Sequence, residues 1–121
     1  MTILFNILVA LIGLLHVYIL VLEMFLWDKP QGRKAFGMSQ EMATMTKTMA
    51  ANQGLYNGFL AAGLFWGLAL GTAGDAVKVF FLLCVAIAGI YGAATASKKI
   101  LFIQALPALS ALGLWGLNKL L

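Results

Sequence analysis

His16 and Glu23 are the two side chains best suited to proton chemistry in the first apolar stretch of this 121-residue chain. They lie seven residues apart, which on a helix places them on one face, about 10 Å from each other along the axis. Imidazole titrates near neutrality and a carboxylate is a second proton carrier, so the pair has the types needed for acid–base work. At that separation they share a proton only through a substrate or a water. Further polar groups follow in Asn52-Gln53-Gly54-Leu55-Tyr56-Asn57, where Asn52/Tyr56 and Gln53/Asn57 are i, i+4 neighbours. Tyr91 and Thr95 repeat that spacing, and Gln104 precedes Pro107. Proline cannot donate to the carbonyl four residues earlier, so Ile103 is expected to offer a free backbone acceptor beside Gln104.

Other chemistry is poorly represented. There is no glycine-rich phosphate loop, serine-nucleophile motif or metal-ligand cluster. Cys84, the single cysteine, excludes an intramolecular disulfide and a cysteine-based zinc framework. No cofactor is indicated, and the balance leans away from an enzyme. An intramembrane enzyme with His16 and Glu23 as acid and base is a further reading that these residues allow.

Composition dictates what must hold these groups. Hydrophobic residues make up 63% of the chain and charged ones 10%, with a mean hydropathy of +0.98. Soluble domains carry roughly a quarter charged residues, which excludes an ordinary soluble enzyme. A net charge of +4, from 8 basic and 4 acidic residues, is too small for a nucleic-acid surface. Residues 3–26 hold one charge, Glu23, while 50–74, 79–97 and 100–118 hold none. One bilayer crossing needs about 20 apolar residues, and lipid offers the backbone no partners, so each stretch is expected to be a helix. The expectation is an all-α membrane protein, a single domain over 1–121. Its four transmembrane helices fall at about 3–26, 50–72, 77–97 and 100–118, with a loop at 28–48. The first stretch lacks the positive start and the cleavage pattern of a signal peptide, and is expected to be retained.

The basic residues orient this bundle. Lys29, Arg33, Lys34, Lys47, Lys98 and Lys99 fall on one side, Lys78 and Lys119 on the other. The richer side is expected in the cytoplasm and both termini outside. Trp27, Trp66 and Trp115 lie near expected helix ends, where indoles favour the headgroup level. Within the first loop, Asp28-Lys29-Pro30-Gln31-Gly32 reads as a turn and Ser39 as a helix cap. Met38, Met42, Met45 and Met49 then share one helical face, an amphipathic cytoplasmic extension of the second helix with its thioethers inward. Thioethers also suit copper(I), but such a stripe is more often adaptable packing.

The second transmembrane helix carries two lines of small residues, Gly54/Gly58/Ala62 and Gly63/Gly67/Gly71, about 140° apart around the axis. Small residues permit close helix approach, so two different neighbours are expected. With this topology Glu23, Asn52, Gln53, Tyr56, Asn57, Tyr91, Thr95 and Gln104 fall in the cytoplasmic half of the bilayer, with His16 deeper. A carboxylate in mid-span costs about 2.5–3.5 kcal/mol even on lenient scales. Convergence of these groups would offset part of that cost and form a polar chamber. For the Asn and Gln residues taken alone, interhelical glue is the favoured role.

The pattern His16-x6-Glu23-x3-Trp27, then Lys34-x-Phe36-Gly37, then Asn52-Gln53-Gly54-x-Tyr56-Asn57-Gly58-Phe59 resembles a family of small bacterial integral membrane proteins catalogued as a domain of unknown function. Ala88-Gly89-Ile90-Tyr91-Gly92-Ala93-x-Thr95 and Gln104-x-x-Pro107-Ala108 continue the match over essentially the whole chain. The resemblance implies a four-helix protein of a bacterial cell membrane, and brings no substrate or mechanism. The residues themselves favour a pocket for an amphipathic small molecule or lipid, its head held by Glu23 and the amides. Proton-coupled export of a small cation through Glu23 is the alternative, by architectural similarity to small multidrug-resistance transporters, whose motifs this chain lacks. A small subunit of a larger membrane partner is a further reading, and a homo-oligomer is compatible with all of these.

Overall fold

A computed structural model describes residues 2–121, which are helical almost throughout. The order is α1 (Thr2–Met24), α2 (Pro30–Phe36), α3 (Gln40–Ala69), a 3-10 turn (Gly71–Gly74), α4 (Asp75–Thr95), a π-helical turn (Leu101–Ala105) and α5 (Leu106–Leu120). No strand occurs among the described residues. Three segments are long and apolar enough to cross a membrane: Thr2–Met24, Gly71–Thr95 and Leu101–Leu120. Helix α3 is the longest at 30 residues but falls short of that apolar measure. Asn52, Gln53 and Asn57, with Gly54, Gly58, Gly63 and Gly67, dilute its hydropathy.

The chain forms two compact units, Leu14–Ala61 and Met1–Gly13 with Ala62–Leu121. In the Leu14–Ala61 unit, α3 begins where Ser39 Oγ accepts the Met42 N–H at 3.1 Å, the expected N-cap. Asp28 and Lys29 lie in a turn as expected, whereas Pro30, Gln31 and Gly32 already belong to α2. Pro30 occupies its first turn, where the missing N–H costs nothing. Gly32 is buried against the Leu26 carbonyl, so a side chain there would collide with backbone. Helix α2 ends at Gly37, whose φ of 65° is the left-handed cap conformation that glycine accepts without strain.

The methionine face differs from expectation. Met45 and Met49 are 76% and 71% exposed, and Met42 is exposed too. Ala43 and Ala50 take the buried positions instead. A small-residue side lets α3 lie close to its neighbours, which leaves the larger thioethers outside.

In the other unit, Phe5, Val9, Ile12, Leu64, Leu82 and Val85 form the core, joined by Ala105, Ala108 and Ala111. A Cβ on Gly89 would sit 2.5 Å from the Ala105 nitrogen, so α4 meets the π turn backbone to backbone. The widened turn lies just before Pro107. There the Leu106 N–H reaches back five residues to the Leu101 carbonyl, a local rearrangement of the kind that accommodates a missing proline donor.

The two glycine lines of α3 do meet different neighbours. Gly54 and Gly58 face Leu20, Glu23 and Met24 of α1, whereas Gly63 and Gly67 face Phe81 and Lys78 of α4. Gly71, with φ of 66° and open space around it, serves the turn rather than packing. Many large apolar side chains point outward, among them Ile3, Leu11, Phe25, Phe80, Ile87 and Phe102. Outward apolar surface on this scale is unfavourable in water and compatible with a membrane protein.

Candidate functional site

Glu23 sits in the last turn of α1 and is 5% exposed. Its neighbour exists because α3 can come close. A Cβ on Gly54 would lie 2.5 Å from Met24 Cγ and 3.1 Å from Glu23 Cβ, and one on Gly58 would lie 2.7 Å from Leu20 Cδ1. One turn beyond Gly54, the Asn57 amide donates to Glu23 Oε1 at 2.6 Å, and also to its own Gln53 carbonyl at 3.2 Å. At 2.6 Å the contact is short for an amide donor. Glu23 Oε2 has no hydrogen-bond partner among the described residues. His16, two turns earlier on the same face of α1, is fully buried.

Other residues of the expected cluster lie elsewhere on their helices. Asn52 is exposed, and its amide donates to the Thr48 carbonyl at 3.1 Å. Gln53 and Tyr56 are exposed, and the Tyr56 ring meets Phe59 edge-on. In the second unit, Tyr91 and Thr95 are exposed, with Thr95 Oγ1 donating to the Tyr91 carbonyl at 2.8 Å. Gln104 is half-buried in the π turn. The structure therefore joins Glu23 to Asn57, with His16 buried on the same helix face.

The segment after α1 is tied to α3 by polar contacts. Trp27 Nε1 donates to Thr46 Oγ1 at 3.0 Å, and its ring lies against Phe36. Lys47 pairs with Asp28 at 3.2 Å, and that hydrogen bond holds the Asp28 carboxyl below its ordinary value. These contacts fix the entry into α3 and so the placement of Asn57.

A second polar centre was hidden in the sequence. Lys78 counts there as a loop charge, yet it is 1% exposed. Its ammonium donates to Asn6 Oδ1 at 3.0 Å, the Gly71 carbonyl at 3.1 Å and Asp75 Oδ1 at 3.2 Å, and lies 5.7 Å from the Phe5 ring centre. Three protons meet three acceptors, which satisfies the ammonium fully. Gly67 leaves room for the lysine stem. The readable signal was the i, i+3 pair Asp75/Lys78; nothing in the sequence pointed to Asn6. A cavity of about 260 Å³ opens beside this centre, with Phe5, Asp75, Trp115 and Lys119 among its walls. With its protons committed, Lys78 acts as a structural tie between α1, the turn and α4.

An all-helical chain with three apolar segments of membrane-crossing length and a buried carboxylate held by a half-buried amide is the class that fold and site define. The chain belongs to the family described as "Protein of unknown function (DUF1304)", which it matches over residues 10–115. It is 32% identical over 106 residues to "Uncharacterized protein YpaA" of Lactococcus lactis subsp. lactis (strain IL1403), covering 86% of this chain and 89% of that protein. The family resemblance read from the sequence is thereby established, and neither comparison carries an activity. No solved structure matches this chain significantly.

Proposed function

We propose that this chain is a four-span membrane protein that binds an amphipathic small molecule or lipid through Glu23 and Asn57, in the cytoplasmic half of the bilayer. The fourth span is the uncharged part of α3 from residue 50 onward. Its amides lower its hydropathy, and the Asn57–Glu23 bond offsets part of the cost of burying them. Residues 40–49 then form the cytoplasmic extension of that helix. The excess of basic residues in the first and third loops orients the bundle with its termini outside.

The observation that carries the reading is the state of the Glu23 carboxylate. An ionisable group inside a membrane helix is functional by default, because a purely structural role is better filled by a neutral residue. Here Oε1 is held by a neutral amide, Oε2 is unengaged among the described residues, and no cation pairs with the group. Such an arrangement is ready to accept a donor from the polar head of a ligand, while the apolar sides of α1 and α3 accommodate a tail. Thermal unfolding across a panel of lipids and quinones tests this. One class should stabilise the wild type and leave Glu23→Gln unmoved; no stabilisation by any member would sink the proposal.

The same unpaired carboxylate supports a second reading, in which Glu23 exchanges a proton for a small cation. Uptake of a cation driven by a proton gradient in liposomes, abolished by Glu23→Gln, would favour transport over binding.

A further inference from the structure

Arg33 is held more firmly than a loop residue. Its N–H donates to the Lys29 carbonyl at 3.0 Å, and its own carbonyl accepts the Met38 N–H at 2.9 Å. The neighbouring Gly32 packs on the Leu26 carbonyl, two residues beyond the end of α1, which draws α2 against that helix end. The Arg33 side chain is half-buried, and its Nε is shielded from solvent with no acceptor among the described residues. The terminal nitrogens are not covered in this way. A guanidinium carries five N–H donors and cannot lose its charge, so this group needs acceptors and a counter-ion.

The acidic groups of the same unit do not supply one. Glu23 is buried and bonded to Asn57, and Asp28 is paired with Lys47. Glu41 is exposed in the first turn of α3 and makes no ion pair among the described residues. Lys29, four residues before Arg33, and Lys34, directly after it, are exposed and equally unpaired among those residues. Three free cations against the single carboxylate of Glu41 leave an excess of positive charge at this corner.

The position in the fold indicates the anion. Helix α1 is apolar and long enough to cross a membrane, and it ends at Met24, six residues before α2. Trp27 and Asp28 are tied to Thr46 and Lys47 of α3, within about one turn of residue 50, where the uncharged part of α3 begins. Both neighbouring helices therefore leave the apolar layer beside α2, which puts α2 at headgroup depth. Phe25 and Phe36, 65% and 42% exposed, flank the basic residues, and exposed aromatic rings suit the boundary between headgroups and acyl chains. The abundant anion at that depth is lipid phosphate, whose oxygens match the guanidinium fork. Basic residues next to a membrane span are drawn to anionic rather than zwitterionic lipids.

We propose that Arg33, flanked by Lys29 and Lys34, binds the phosphate of an anionic phospholipid at the membrane surface, with Phe25 and Phe36 against its uppermost acyl carbons. The site rests on the span placement proposed above and does not depend on a ligand at Glu23, whose carboxylate would repel a phosphate. Its lipid holds α2 in place at the end of α1.

Native mass spectrometry of the full-length protein in detergent, titrated with phosphatidylglycerol or phosphatidylcholine, tests this. Phosphatidylglycerol should bind the wild type about tenfold more tightly or better. Arg33→Gln should weaken that lipid about fivefold or more and leave phosphatidylcholine unchanged. Lys34→Gln, at an exposed position that does not endanger the fold, should act in the same direction, whereas Lys119→Gln, a charge loss in the other unit, should have no effect. Equal affinity for the two lipids, a loss at Lys119→Gln matching that at Arg33→Gln, or displacement of the lipid by an equal concentration of inorganic phosphate would overturn the proposal. So would loss of phosphatidylglycerol in Glu23→Gln with Arg33 intact, because the lipid would then sit at Glu23. A wild type that prefers phosphatidylglycerol through Arg33 but carries no Glu23-dependent ligand supports this site and removes only the binding reading above.

Discussion

Asn57 Nδ2 stands 2.6 Å from Glu23 Oε1, a hydrogen bond between residues 34 apart in sequence. The bond places a neutral amide, rather than a cation, against the carboxylate in the last turn of α1. Everything proposed for this protein's chemistry starts from that choice of partner.

Removing the amide should destabilise the protein more than removing the charge. Asn57→Ala leaves a buried acceptor unmade, a loss of about 1–3 kcal/mol. Glu23→Gln keeps the shape and an acceptor oxygen, so its unfolding temperature should stay near the wild-type value. Thermal unfolding of the two variants in one detergent checks the order. A Glu23→Gln variant that fails to fold would make the carboxylate structural.

The glycines should rank by what each Cβ would meet. Gly54→Ala drives into Met24, the Glu23 Cβ and the Leu20 carbonyl, so it should weaken the α1–α3 contact by about 1–3 kcal/mol. Gly58→Ala meets only the flexible end of Leu20 and should cost less. Gly113→Ala meets nothing within 4 Å and should be neutral or stabilising by up to about 1 kcal/mol. Unfolding temperatures of the three alanine variants give the comparison directly.

These glycines also show how far the sequence could be read. Their spacing of four announced two contact faces on α3, because only close approach explains small residues repeated on one side of a membrane helix. The Ser39 cap was legible for a similar reason, since its chemistry is local. Other features depend on contacts that spacing does not encode. Gly32 looked like a turn residue, yet it is small because the Leu26 carbonyl lies against it. The methionine stripe was recognisable as one face, but periodicity cannot say whether a face points in or out. Lys78 was misread because its acceptor Asn6 lies 72 residues away in sequence. Of the site, the Glu23 carboxylate was legible from its charge in an apolar stretch. Which of the several amides would reach it was not.

Lys78→Met should expose the role of the second polar centre. The substitution keeps the apolar stem beside Gly67 but strands acceptors on Asn6, Gly71 and Asp75. A loss of about 1–3 kcal/mol is expected. Ligand binding at Glu23 should persist, and titration of the purified variant with the stabilising lipid class measures that separately from stability.

Acid should loosen the Trp27 region before the helices. With Asp28 held below its ordinary value of 3.8 by Lys47, the ion pair stabilises the fold above that value. Its contribution is lost as pH falls through the depressed native value. The Trp27 indole N–H resonance should follow this titration, and Lys47→Met should return the Asp28 midpoint toward its ordinary value.

The most direct measurement is native mass spectrometry of the protein released gently from its own membranes, beside Glu23→Gln prepared in the same way. The wild type is expected to carry a bound small molecule or lipid of defined mass, and the folded variant to have lost it. Wild type and variant that are equally empty, or equally loaded, would contradict a ligand site at Glu23.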